Sequence, residues 1–430
     1  MRTEKKIRVD ITPQTFGAYM GGGLGVYAPL ELWKKEILYM KKAGLGIARF
    51  NCDAWDLIEP RKGEYNWEKI DMITALLRKN NIEILFTIPV SSSWNTTAEE
   101  KWIDTIKIPD SHFPAADLND LEELCQELAS RYKGVIKYWE AWNEPDLPVF
   151  WKGSPDPAEY MEVLRAVHKG IKKSDPGAQI VIGGIAEPLK KHFVGRLMRS
   201  GAAELFDIMN IHIYPGTDID KVRRSVLAAR DAIGKYDPGK PLWVTEISTT
   251  PAYYSPGETK NAEQEKAVFL VKSYMILLAE GVEKIFWHTL RNCGRDIGLS
   301  KDFDFGLLDS EYTALPAYLS ARILLPKLDG CYRVEIKYPE KNSAVFKFDS
   351  EDSALIVAWG EAGEKSLEVP YSLKNPTVID IFGNNVSFVA VDKKLIIPAC
   401  DFPVIISGTE RMENDHPYNV ISKQNERRNQ

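Results

Sequence analysis

Residues 83–90 read Glu-Ile-Leu-Phe-Thr-Ile-Pro-Val. The run is apolar on both parities instead of alternating, as a strand buried on both faces of a parallel sheet requires. The stretch before it carries the other period: Ile70, Ile73 and Leu77 recur at helical spacing, so one stripe of a helix covers one side of that sheet. The pairing of a strand-like run with a helical one repeats outward in both directions. Strands are predicted at Thr15–Gly21, Ile47–Asn51, Glu83–Val90, Tyr138–Pro145, Gln179–Glu187, Phe206–Pro215, Pro241–Ser248 and Lys284–Arg291. Helical stripes lie between them, as in Tyr160, Leu164, Val167 and Ile171, and in Val268, Val271, Met275 and Leu278. Turns at Gly44, Gly134, Pro176-Gly177, Gly201, Pro238-Gly239 and Gly281 return each helix to the next strand. Eight such units predict an α/β chain whose residues 15–330 close into a (β/α)8 TIM barrel, not an open doubly wound sheet.

After Tyr312–Gly330 the helical period stops. Short runs follow at Tyr332–Tyr338, Ala344–Phe348, Ala354–Trp359, Ser366–Val369, Thr377–Phe382, Asn385–Val391, Leu395–Ile397 and Phe402–Ser407, punctuated by turn residues. They predict a C-terminal antiparallel β-sandwich over residues 331–409. Residues 1–14 read as an N-terminal segment with a strand joining that sandwich, and 410–430 as a polar mobile tail.

The 430 residues are 44% hydrophobic and 27% charged, which fits a globular chain with a large core. The net charge of -6, with Lys and Arg scattered among acids, leaves no basic footprint for nucleic acid. Five cysteines (Cys52, Cys125, Cys293, Cys331, Cys400) stand far apart with no C-x-x-C pair, so neither a disulfide framework nor a zinc site is expected. The start, MRTEKKIRVDITPQTF, has no apolar signal core, and no run of about 18 apolar residues follows anywhere. The chain as given reads as cytoplasmic, with no membrane partner, or as secreted if a leader has been removed.

A barrel carries its reactive side chains at the C-terminal ends of its strands. Those ends hold Arg49 and Asn51 on the second strand, Trp142-Asn143-Glu144-Pro145 on the fourth, His212 and Tyr214 on the sixth, Thr245-Glu246 on the seventh, and Trp287 and His288 on the eighth. Glu144 and Glu246 thus face one mouth from opposite sides, the arrangement with which two carboxyls cleave a glycosidic bond. Trp287 offers a flat face for a pyranose ring, and His212 either hydrogen-bonds a sugar hydroxyl or the attacking carboxylate, Glu246, or orients a neighbour from behind. Trp94, Trp102 and Trp151, in the loops after strands three and four, either line outer sugar subsites or pin those loops. Strict alternation raises a difficulty: Glu140, Trp142 and Glu144 share one face and Asn143 points away, so a bulge or the turn at Pro145 must re-aim one of them. Glu140 reads as a buried structural acid.

The segment Tyr138-Trp139-Glu140-Ala141-Trp142-Asn143-Glu144-Pro145-Asp146 resembles the Asn-Glu-Pro acid/base motif of the clan A glycoside hydrolases, and Trp243-Val244-Thr245-Glu246 resembles their nucleophile strand. With Arg49, Trp55, Gly63-Glu64-Tyr65-Asn66-Trp67, Arg131-Tyr132-Lys133-Gly134, Phe150-Trp151 and Phe305-Gly306-Leu307-Leu308, the wording is most similar to family 39, whose members include β-xylosidases and polysaccharide endoglycosidases. The resemblance covers about residues 15–330. It implies a retaining hydrolase of β-linked glycosides or polysaccharides that needs no cofactor or metal. Glu144 would be its acid/base and Glu246 its nucleophile, Asn143 would hold the sugar 2-OH, and Arg49 and Tyr214 would keep Glu246 charged and oriented. A catalytically inactive carbohydrate-binding barrel, or a transglycosylase using the same residues, is the alternative.

Two rival readings fail on residues. A metal-dependent hydrolase would carry a His-x-His pair on the first strand, and Thr15–Gly21 has no His. Gly23-Leu24-Gly25-Val26-Tyr27-Ala28 satisfies a dinucleotide fingerprint, but Pro29 follows at once and the helix starts only near Glu31.

Overall fold

The computed structural model describes residues 5–21, 25–51, 55–99, 102–103, 106–107, 112–190, 192–250, 259–292, 304–337, 343–351, 353–360, 366–371, 373–398 and 402–410. In chain order, β1 (Lys5–Arg8) precedes β2 (Phe16–Tyr19), β3 (Ile47–Asn51) and β4 (Glu83–Thr87). A short antiparallel pair follows, β5 (Trp102–Ile103) and β6 (Ile106–Lys107), then β7 (Tyr138–Asn143), β8 (Gln179–Gly184), β9 (Met209–Ile213), β10 (Leu242–Ile247) and β11 (Lys284–Trp287). Eight of these make one parallel sheet in the order β8-β7-β4-β3-β2-β11-β10-β9. Bridges Val181↔Ile208 and Ile185↔Ile211 join its two outermost strands and close the barrel, as the eight repeated units predict.

The covering helices are α1 (Leu30–Ala43), the single turn α2 (Trp55–Ile58), α3 (Glu68–Lys79), α4 (Leu118–Arg131), α5 (Pro157–Ser174), α6 (His192–Arg199), α7 (Ile219–Gly234), α8 (Thr259–Ala279) and α9 (Pro316–Leu328). Three start on an aspartate whose side chain accepts an orphan backbone N–H of the first turn: Asp117 on α4, Asp156 on α5 and Asp218 on α7. Each such cap is worth about 1 kcal/mol. Helix α1 ends at Gly44, whose φ of 76° is a left-handed cap that a side chain would strain. Among the described residues no helix is long and apolar enough to cross a membrane.

The C-terminal strands are β12 (Arg333–Lys337), β13 (Ala344–Asp349), β14 (Ser353–Trp359), β15 (Ser366–Pro370), β16 (Leu373–Asp380), β17 (Val389–Val391), β18 (Lys394–Pro398) and β19 (Val404–Glu410). They form two antiparallel sheets, β1-β12-β13-β14-β19-β16 and β15-β18-β17, with β1 of the N-terminal segment pairing β12. Alternation along the larger sheet divides two cores. Ala354, Ile356, Ala358, Val404 and Ile406 face the smaller sheet with Leu367, Val369, Leu395 and Ile397. Phe346, Phe348, Leu355, Val357, Trp359 and Ile405 turn the other way and are continuous with the barrel's own core. Of the tail predicted at 410–430, Glu410 is instead the last residue of β19, and 411–430 lie outside the described residues.

Candidate active site

The barrel interior is stacked in layers. At the bottom Ile47, Leu85, Tyr138, Val181, Ile208, Trp243 and Phe286 make an apolar plug separate from the outer core. Two residues further along their strands, the inward positions of β3, β4, β7, β9 and β10 are Arg49, Thr87, Glu140, Asn210 and Thr245, all buried. The mouth above holds Asn143, Glu144, His212, Tyr214, Glu246 and His288.

Two departures from regular strand geometry aim the carboxyls. At the end of β7, Trp142 adopts φ 86°, and Glu144, just past the strand, φ 47°. Ala141 and Trp142 therefore both turn to the outer core, while Asn143 and Glu144 both turn to the mouth. This resolves the difficulty that alternation raised, at the cost of two side chains in a region that non-glycine residues avoid. On β10 the register slips between Val244 and Glu246, making Thr245 the extra residue of a bulge, so Thr245 and Glu246 point inward together.

Arg49 spends all three guanidinium nitrogens here. Nε donates to Glu140 Oε2 at 2.8 Å, Nη1 to Glu246 Oε1 at 2.6 Å and Nη2 to Asn143 Oδ1 at 2.7 Å. The bond to Oδ1 leaves the Asn143 amide nitrogen for a ligand. Tyr214 donates its hydroxyl to Glu246 Oε2. Glu140, fully buried, accepts from Arg49, from the Thr87 hydroxyl, from Asn210 Nδ2 at 2.7 Å and from Thr245 Oγ1 at 3.0 Å. His212 lies between Glu144 Oε1, 2.8 Å from Nδ1, and Thr245 Oγ1, 2.9 Å from Nε2. Oxygens of Glu144 and Glu246 and a ring nitrogen of His212 all lie within 4.8 Å of one another.

The two glutamates are driven in opposite directions. Burial raises the Glu144 carboxyl above its usual range; Glu246 and Asp146 add to this, and the bond from His212 only partly offsets it. Burial also pushes Glu246 up, yet its neighbours His212, His288 and Arg49, with the Tyr214 hydroxyl, hold it well below the usual carboxylate range. His212 is lowered by burial but raised overall by Glu246 and Glu144, and burial lowers His288.

Of the residues singled out in the sequence, Arg49, Asn143, Glu144, His212, Tyr214 and Glu246 converge at this mouth. Trp287 does not, and its expected role as a sugar platform is corrected. Phe286 belongs to the inner plug, so by alternation Trp287 faces outward; it is fully buried against Phe269 and Tyr274 of α8, with Nε1 donating to the Phe305 carbonyl at 2.8 Å. The inward residue of that strand end is His288. Its ring lies beside Tyr19, Tyr214 and Phe305, with Nδ1 3.7 Å from Glu246 Oε2. Continuing the alternation one step past Phe286 is the signal that finds it. Trp151 is fully buried against Trp142 and Tyr160, and Trp94 donates to the Glu59 carbonyl at 2.8 Å, so both pin loops. The side chains of Asn51 and Trp102, and Gly23 and Leu24 of the glycine-rich loop, lie outside the described residues.

Gly184, at the end of β8, makes room for His212: a Cβ there would stand 1.9 Å from the ring Nε2. Gly184→Ala is expected to cost about 1–3 kcal/mol in urea unfolding and to lower turnover with it, because the imidazole must leave Glu144. Glu144, His212 and Glu246 are the group among the described residues spaced to hold a metal ion. Their donors already have protein partners, and the guanidinium on Glu246 opposes a second cation there.

Comparison with known proteins gives relatives of the same architecture. The chain superposes with a TM-score of 0.71 on a family 39 glycoside hydrolase from Bacteroides cellulosilyticus WH2, at 17% identity over 92% of this chain and 82% of that one. It superposes at 0.68 on a family 39 β-xylosidase from Caulobacter crescentus, at 20% identity over 94% and 96% of the two chains. The likeness to family 39 read from the strand motifs is thus borne out in the fold. The Glyco_hydro_42 family, described as beta-galactosidase, matches residues 27–114. The β-galactosidase BbgII of Bifidobacterium bifidum is 23% identical over 293 residues, 56% of this chain and 40% of its own. The chain spans less than half the length of the curated β-galactosidases that it matches.

Proposed function

We propose that the chain is a retaining glycoside hydrolase acting on β-linked sugars, with residues 15–330 as its catalytic barrel and Glu144 and Glu246 as its two working carboxyls. One observation carries the reading: two buried glutamates, one just past the end of β7 and one on β10, with oxygens within 4.8 Å, one pushed toward the acid and the other toward the carboxylate. Retaining pairs stand about 5–5.5 Å apart, whereas inverting pairs need roughly 6.5–9.5 Å to admit a water. Glu246 attacks the anomeric carbon as the Glu144 proton passes to the glycosidic oxygen, releasing the leaving alcohol. Water then gives its oxygen to that carbon and its proton to Glu144, and Glu246 departs as the carboxylate it began as. Arg49 and Tyr214 hold Glu246 in line, and the free amide nitrogen of Asn143 donates to the sugar 2-OH, a bond that tightens as positive charge develops. The likeness to a β-xylosidase and to β-galactosidases makes aryl β-xylosides and β-galactosides the first substrates to try.

Proton NMR of the first-formed sugar is the test: it shows the anomer of the substrate, and direct release of the opposite anomer overturns double displacement. Ligand stabilisation without any product would instead mark a binding barrel. The pH profile follows from the two carboxyls. Activity needs Glu246 ionised, so it is present above that group's depressed pKa and lost only in acid below the ordinary carboxylate range. It needs Glu144 protonated, so it is lost as pH rises through that group's raised pKa. The kcat/KM profile is expected to be a bell with an acid limb below, and an alkaline limb above, where free glutamate titrates.

A further inference from the structure

We infer that His212 works as an imidazolium whose Nδ1–H holds one oxygen of Glu144 through both halves of the reaction, while Thr245 fixes its other nitrogen. The inference rests on the catalytic reading of Glu144 given above.

The argument starts behind the ring. Asn210 donates its Nδ2 to Glu140 Oε1 at 2.7 Å and to the Ile182 carbonyl at 3.2 Å, so its Oδ1 is an acceptor. Thr245 Oγ1 stands 2.9 Å from that Oδ1 and 3.0 Å from Glu140 Oε1, and its single proton goes to one of these two acceptors. A lone pair of the hydroxyl therefore faces His212 Nε2 at 2.9 Å, and Nε2 is the donor. The ring has no freedom to switch tautomers while this chain of bonds stands.

What remains is Nδ1, 2.8 Å from Glu144 Oε1. Were it bare, the bond would exist only with the acid proton on Oε1, directed at the imidazole and away from the mouth. Once that proton was spent, two lone pairs would face each other in a buried site. A protonated Nδ1 removes both problems. Oε1 accepts from it in the acid and in the carboxylate state alike, and Oε2 alone gives its proton to the leaving oxygen and regains one from water. His212 gains and loses nothing in the cycle, so it is a positioning residue.

The surroundings favour that charge on balance. Glu144 touches Nδ1, Glu246 Oε2 is 3.6 Å from it, Asp146 stands beyond Glu144, and Glu140 lies behind Thr245. Against it stand burial, Arg49, and His288 across Glu246. Thr245, Asn210 and Glu140 thereby gain a task in the chemistry without touching the sugar.

The test reads the ring directly. In protein labelled with 15N-histidine, the His212 signal among six histidines is identified by its absence in His212→Gln or its shift in Thr245→Val. Both ring nitrogens should be protonated at the pH of full activity; a bare Nδ1 there overturns the inference. The alkaline limb of kcat/KM on an aryl glycoside gives a second reading. Glutamine at 212 keeps a donor but removes the cation that lowers the Glu144 pKa, so the limb should move up by about 1–3 pH units. A folded His212→Gln enzyme with reduced kcat and an unmoved limb means that the imidazole was neutral. If no glycoside is turned over at all, the catalytic reading fails, while the ring spectra still decide the state of His212.

Discussion

Glu246→Gln is expected to lower turnover of every glycoside by on the order of 10⁴–10⁶, the loss seen when a nucleophile is removed from a set of groups that act as a unit. The amide keeps the volume and one oxygen for Arg49, so the fold should stand, but it cannot form the covalent glycosyl-enzyme. It also removes one of the charges closest to the guanidinium, in a site where Arg49 is fully buried. The measurement is pre-steady-state kinetics with an excess of an activated aryl glycoside. A pre-steady-state burst of aryl alcohol that is present in the wild type and kept in the variant would show that another group attacks.

Glu144→Ala should fail differently. An aryl leaving group needs little protonation, so the first step survives, while the second, which needs a base for water, slows by about 10²–10⁴. The glycosyl-enzyme then accumulates, and KM falls along with kcat. Added azide, which attacks without giving up a proton, should restore turnover and yield a glycosyl azide of retained configuration. Equal loss on activated and unactivated substrates, with no effect of azide, would remove Glu144 from the acid/base role.

How far the sequence could be read depended on which periodicity was at stake. The barrel was legible because burial on both faces leaves near-continuous apolar runs such as Glu83–Val90, and because these recur with helical stripes between them. Glu144 and Glu246 were legible because a charged residue ending such a run has one place to be. The neighbours were less so, since alternation holds only while the strand is regular. The positive φ of Trp142 and the extra residue at Thr245 each turn one more side chain inward than counting allows. Trp287 is the opposite case: the strand is regular there, and parity sends its ring outward and His288 inward. Thr87, Asn210 and Thr245 carry a signal of their own, a polar residue inside an otherwise apolar strand, which a closed barrel leaves nowhere to point but at another polar group.

The pairing of β1 with β12 bears on how the chain is made. Lys5 lies opposite Ile336, so a strand at one end of the sequence waits for a partner more than three hundred positions away. At elongation rates of about 5–20 residues per second, that wait on the ribosome is roughly 15–65 s. Through it β1 is an unsatisfied edge that any neighbouring nascent chain could extend. Its residues, Lys-Lys-Ile-Arg, meet that hazard with three cations around one apolar side chain, three of the four positions remaining exposed after folding. In the finished fold Lys5 and Lys6 pair with Glu280 and Glu335; until those acids have been made, the same cations repel a second copy of this strand from the open edge.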